Sequence, residues 1–427
     1  MRKLLKSKVA IAFIVLAGVM WLYLHWYNLD TLFQYDSEDL AIGGMLYAVL
    51  EGRVSEYGLL RATESGMSGF VLGAIKNNWT FNEVSYQNYA SQIGLQGYAY
   101  QLLAIILCSG KGILYLIRFR ELLCAVCCVL MAAVSMGIVV ALGKKYNYKL
   151  SIAFFITFLL SPWVKDFSVN LYWVEFTWYI PMLLGIVMSL DYKKFDKLWF
   201  YVLVFFAVAV KSACGYEYIT TVMLGLILVP LVDLSTAERD ERKSILIIIF
   251  KLGIAALLGF VVVLFIHALM RGDGNVIAGL ESIYQNDVLR RTVGENLAVL
   301  DSSKREGIKP TVGETLKEYF EFKTELVDGL SGEIFVPLMV FALLVFAARA
   351  LKKENRWELS FYIASFVCTV SWYILGKQHS YVHIHINFVL WYFGFVQMLI
   401  YSLFCAFSDC LLNNMGKNNI IKYPNVK

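Results

Sequence analysis

Residues 245–269 read ILIIIFKLGIAALLGFVVVLFIHAL, with Lys251 as the one formal charge. A helix of this length reaches about 37 Å at 1.5 Å per residue, more than the ~30 Å thickness of a bilayer's hydrocarbon. Inside lipid every backbone N–H and C=O must find a partner within the chain, so only helices and closed barrels span. An unbroken apolar run, without polar alternation, selects the helix. Composition extends the argument to the whole chain. Hydrophobic residues make up 59% and charged residues 17%, against about 45–50% and about 25% in soluble domains. Aromatics at 15% suit interfacial belts of Trp and Tyr. The chain is therefore read as an all-α polytopic membrane protein. Its net charge of +5 bears on orientation, and no nucleic-acid partner is expected.

Ten runs qualify as spans: 9–27, 122–142, 150–164, 176–190, 198–212, 218–234, 245–269, 334–349, 359–375 and 387–407. The third is short and broken by Pro162. Residues 97–107 are too short to cross and are read with 112–120 as amphipathic juxtamembrane material. A cytoplasmic N-terminus puts 19 Lys and Arg in about 60 inner-loop residues, against 16 in about 185 outer-loop residues. Both termini are then cytoplasmic, in an inner (plasma) membrane, and the first span is a signal anchor. The whole chain, 1–427, is one integral membrane domain. Two long loops, 28–121 and 271–333, face the outer compartment.

The first outer loop opens YDSED, which places Asp36, Glu38 and Asp39 within four residues. One reading is structural: Asp36 or Ser37 caps a helix, and acids in its first turn suit the helix dipole. The other is chemical: a carboxylate at the membrane surface takes a proton from a hydroxyl. Asp36 and Asp39 share a helix face at i and i+3. Carboxylates also suit Mg²⁺ or Mn²⁺, so a divalent cation at Asp36 or Asp39 stays open. Cys124, Cys127 and Cys128 form C-x-x-C-C inside an apolar helix and are expected to pack rather than bind metal.

Several short motifs now carry a resemblance: YDSED, SQIGLQG at 91–97, SPW at 161–163, YWVEFTWYIP at 172–181 and CGYEY at 214–218. With the topology they resemble the GT-C superfamily of membrane glycosyltransferases, in its bacterial surface-polysaccharide branch. The resemblance implies transfer of a sugar from a polyprenyl-phosphate carrier to a lipid-linked or polysaccharide acceptor outside the cytoplasm. It also implies an acidic base in the first outer loop, with Asp36 first and Glu38 and Asp39 behind it. A large soluble C-terminal domain, present in some members, is not expected from these 427 residues.

A lipid-phosphate donor needs a cation at the departing phosphate. Lys211, near the end of an apolar run with Glu217 six residues on, is one candidate, the alternative being a Lys–Glu pair that holds helices together. The turn GKQHSYVHIH supplies Lys377, His379, His383 and His385, three of the chain's five histidines. His379 and His383 align on a helix, His383 and His385 only in an extended chain. This argues against a three-histidine zinc site and leaves phosphate or sugar contact beside simple packing. Arg290 and Arg291 can hold a diphosphate or lie in a solvated charge run. Two rival functions remain: an O-antigen or capsule polymerase that relies on those arginines, and a polysaccharide-lipid transporter.

Overall fold

A computed structural model describes Gly18 and residues 34–64, 84–293 and 309–420, with backbone alone for Tyr35, Ile113 and 411–420. The expected first span at 9–27 falls outside the described residues, Gly18 apart. Helices dominate. Among the described residues five are long and apolar enough to cross a membrane, or up to seven if each of two bent pairs is one span. Two further spans in the sequence reading, 176–190 and 198–212, are apolar helices of 15 and 17 residues.

Helix α1 (Tyr35–Glu51) packs on α2 (Leu95–Cys108), with a two-stranded antiparallel sheet, β1 (Leu60–Glu64) and β2 (Val84–Asn88), between them in sequence. Backbone meets backbone here: a Cβ on Gly97 would stand 1.9 Å from the Gly58 carbonyl oxygen. Helix α3 (Ile113–Lys145) runs 33 residues without a break. Residues 113–120, expected to lie on the surface, are thus the first turns of a spanning helix. Nothing stops the helix at Arg120 because that side chain is needed inside. Arg120 Nε and Nη2 bond both Glu38 carboxylate oxygens, at 2.9 and 2.8 Å. Cys124, Cys127 and Cys128 are free thiols buried along the same helix.

Helices α4 (Tyr148–Leu160) and α5 (Pro162–Val169) form the first bent pair, turned by 60°. Pro162 cannot donate to the preceding turn. Ser161 instead caps α5 by accepting from the Val164 N–H at 3.1 Å. The bend is stapled by Asp328, whose N–H donates to the Leu160 carbonyl and whose carboxylate takes Lys165 Nζ at 2.7 and 2.8 Å. Then follow α6 (Phe176–Leu190), α7 (Leu198–Cys214), α8 (Ile219–Thr236) and α9 (Arg239–Arg271). Helix α8 packs on both α6 and α13 (Arg356–Leu375), and α7 packs on α9. Helices in lipid gain little from apolar burial and associate through close van der Waals contact at small residues. Gly185 of α6 provides such a contact, with no room for a Cβ against the Leu226 carbonyl.

After α9 the chain forms α10 (Val276–Ile283), a π-helical run at Tyr284–Val288 and a last turn at Leu289–Thr292. An amphipathic helix, α11 (Val312–Glu321), opens on a capping box between Thr311 and Glu314. A short sheet and α12 (Phe335–Arg349) lead to α13. The histidine turn is α14 (Lys377–Val382) and α15 (Ile384–Asn387), and α16 (Phe395–Ile420) closes the described chain. Between Ile384–Tyr392 and α16 the path bends by 51° at Gly394, whose φ of 106° disfavours any other residue.

Candidate functional site

Four of the motifs far apart in sequence meet around one cavity of about 310 Å³. Its walls include Gln34, Asp36 and Ser37 from the start of α1, Tyr172 and Trp173 from the turn before α6, and Glu217 from the turn after α7. Residues 92–97 tie these turns together. The Gln96 amide donates to the Tyr172 carbonyl at 2.7 Å and the Cys214 carbonyl at 3.0 Å, and the Gly94 N–H bonds the Ala213 carbonyl. The remaining walls are Arg61, Tyr89, Arg290, Arg291 and four residues of the histidine turn with Ile386.

The first turn of α1 decides what Asp36 can do. The helix begins at Gln34, held in the left-handed region at φ 50°, and no side chain caps it. Asp36 is therefore not spent as a cap. Its carboxylate is exposed and makes no hydrogen bond or ion pair among the described residues. Glu38 and Asp39 differ: both are buried and neither lines the cavity. Glu38 is bound to Arg120, so it holds α1 to α3. The i, i+3 spacing of Asp36 and Asp39 therefore does not bring both to the cavity. Among the described residues no three His, Cys, Asp or Glu side chains converge on a metal position.

The aromatic wall is held under strain. Val174, β-branched and buried, sits at φ 41°, where such residues are outliers. The turn is fixed from several sides: Asn170 Oδ1 accepts from the Tyr172 N–H at 3.0 Å, and the Trp173 ring stacks on Tyr218 at 5.7 Å. Two flat rings, Tyr172 and Trp173, are thereby presented at the cavity.

Of the cations the sequence offered, the arginines rather than Lys211 and Lys377 line the cavity. Lys211 is buried, donates to the Gly215 carbonyl at 2.6 Å and does not line the cavity. Glu217 pairs instead with Arg291, Nη2 to Oε1 at 2.9 Å, with Glu217 buried and Arg291 nearly so. Arg290 is one-third exposed and reaches Asp287 only at 3.8 Å. The segment 284–292 is thus a wall of the site rather than a solvated run. A close Arg–Arg pair after an amphipathic helix was the available signal. Lys377 is half-buried and outside the cavity wall, and its carbonyl accepts from Thr315 Oγ1.

His379 and His383 stand on one face, ring centroids 4.8 Å apart, and both line the cavity. His385 lies 5.9 Å from His383 but is exposed and turned away from the wall. Burial, then His383 and the two arginines, hold the His379 imidazole well below its ordinary range. Burial and His385 push His383 down to about 4, against the opposing pull of Asp36. Both rings are neutral near pH 7, so the arginines are the cations of the site.

Two further hollows adjoin. One, of about 330 Å³, is walled by apolar side chains such as Ile219, Phe260, Leu264, Leu280 and Ile283, and it shares Arg291 with the central cavity. The other, of about 230 Å³, is walled by polar groups including Gln87, Asn88, Ser91 and Arg271, and shares Arg61 and Tyr89. The central cavity thus shares wall residues with an apolar hollow and, separately, with a polar one. Neither a protein-family model, a curated protein nor a solved structure matches the chain.

Proposed function

We propose that the chain is a membrane glycosyltransferase of GT-C type. In this reading it moves a sugar from a polyprenyl-phosphate carrier to a lipid-linked or polysaccharide acceptor on the extracytoplasmic side. The observation that carries it is an apolar hollow that shares Arg291 with an arginine-walled cavity, on which Asp36 stands without an ion pair among the described residues. An amphiphile with an anionic head fits that order. Its alkyl chain lies among Phe260, Leu264 and Leu280, its phosphate meets Arg290 and Arg291, and its sugar lies by Tyr172 and Trp173. The acceptor approaches through the polar hollow beside Arg61. Asp36 takes the acceptor hydroxyl's proton as the oxygen bonds the anomeric carbon and the sugar–phosphate bond breaks. The phosphate leaves as an anion toward the two guanidinium groups. Lys211 and Lys377, outside the cavity wall, give up the phosphate-binding role to these arginines.

A second reading, an O-antigen or capsule polymerase, draws on the same arginines at the cavity. Surface polysaccharide from a deletion strain separates the two. Complementation by the wild type that restores one missing sugar, and failure of a normally abundant Asp36→Asn protein to do so, supports the single-sugar transferase. Loss of chain length with an unchanged repeat unit supports the polymerase.

A further inference from the structure

Asn387, fully buried at the end of α15, is pinned from four directions. Its backbone N–H donates to the His383 carbonyl at 2.9 Å and its carbonyl accepts from Tyr373 Oη at 3.0 Å. On the side chain, Oδ1 accepts from Tyr218 Oη at 2.7 Å. Nδ2 lies 3.1 Å from His379 Nδ1 and 3.4 Å from the His379 carbonyl oxygen. A carbonyl oxygen can only accept, so the amide edge turned to His379 is the NH₂ edge. His379 Nδ1 then has to accept. A neutral imidazole that accepts on Nδ1 carries its proton on Nε2. Nε2 has no hydrogen-bond partner among the described residues and is not sealed off, while its ring walls the cavity beside Arg290 and Arg291.

We propose that Asn387 is a positioning residue that fixes His379 as its Nε2–H tautomer, a hydrogen-bond donor toward the anion that Arg290 and Arg291 gather. The opposite tautomer would aim a lone pair at that anion. The donor role rests on the proposed anion site, whereas the tautomer rests on the Asn387 contacts alone. His379 in this state is not a base toward the cavity, which leaves proton removal to Asp36.

Only five histidines are present, so full-length protein labelled with ¹⁵N-histidine in lipid nanodiscs gives a spectrum that His379→Gln can assign. Around neutral pH the wild type should show a protonated Nε2 and an unprotonated Nδ1 at His379. Pyrophosphate should shift the Nε2–H resonance. In Asn387→Asp, close to isosteric, a carboxylate faces Nδ1. The proton should move to Nδ1 and the ring should titrate at higher pH, a change that a merely structural role would not produce. A wild-type ring protonated on Nδ1, or the same tautomer in both proteins, overturns the assignment. Bound pyrophosphate that leaves Nε2 unmoved overturns the donor role while the anion site stands. Failure of pyrophosphate to bind overturns the anion site and the donor role together, with the ligand-free tautomer still supported.

Discussion

Two groups of charged residues in the helical bundle are handled differently. At the end where α12 closes and α13 opens, Arg349 forks onto Glu358 at 2.6 and 3.0 Å and also takes both Asp409 oxygens. Tyr401 Oη adds a bond to Glu358. Nearby helices repeat the pattern: Lys145 bonds Asp233 at 2.7 Å and the Ser189 carbonyl at 2.8 Å, while Tyr192 Oη also donates to Asp233. At the other end of α13, around the cavity, Asp36 and Arg61 make no ion pair among the described residues, and Arg290 is held loosely. Charges that fasten helices are saturated by one another. In the proposed reading the charges that meet a ligand are less tightly paired, and Arg291, bound to Glu217, both fastens and lines the cavity.

The contrast breaks first at Asp36. Asp36→Asn should cut sugar transfer by about 10²- to 10⁴-fold, the usual span for a general base, and leave the thermal midpoint unchanged. A large fall in stability would show that Asp36 fastens the fold after all. Glu38, two residues on, should behave in the reverse way. Glu38→Gln strands a buried Arg120 and should cost about 3–5 kcal/mol in unfolding measurements. The mixed case, Arg291→Gln, should weaken pyrophosphate binding by about 10- to 100-fold, as loss of one charge-assisted hydrogen bond would. It should also destabilise the protein by leaving Glu217 buried and alone. The effect of pH is smaller and has a definite sign. His383 titrates near 4 when folded and near 6.5 when unfolded, so below 6.5 the unfolded chain binds the extra proton. Stability should therefore fall as pH drops from about 6.5 toward 4, and His383→Gln should flatten that slope in thermal-unfolding scans. The least change belongs to the exposed pair Lys353–Glu238, where Lys353→Ala should leave the midpoint within error.

What the sequence made legible follows from how local each signal is. Long apolar runs announce helices because the bilayer imposes length, and Pro162 marks a bend because it removes one donor. The i, i+4 spacing of His379 and His383 gives adjacent rings for the same reason. Other features depend on partners far along the chain. Glu38 and Asp36 look alike in YDSED, and only Arg120, 82 residues away, separates them. Lys211 and Glu217 are near neighbours in sequence, yet Glu217 pairs with Arg291 and Lys211 turns to a carbonyl. The strand pair at Leu60–Glu64 and Val84–Asn88 also escaped a reading tuned to helical periods. Both strands are short, and their pairing spans a long connection.

Arg291 is a wall common to the apolar hollow and the charged cavity. Under the proposed function, a carrier that uses both would slide in sideways from the bilayer with its tail already immersed. Its supply is then counted per unit of membrane area, not per volume of buffer. Adding inert phospholipid around a fixed amount of protein and carrier should slow the reaction although every bulk concentration stays the same. The effective speed of a transferase of the proposed kind would belong jointly to the protein and to the crowding of the leaflet in which it sits.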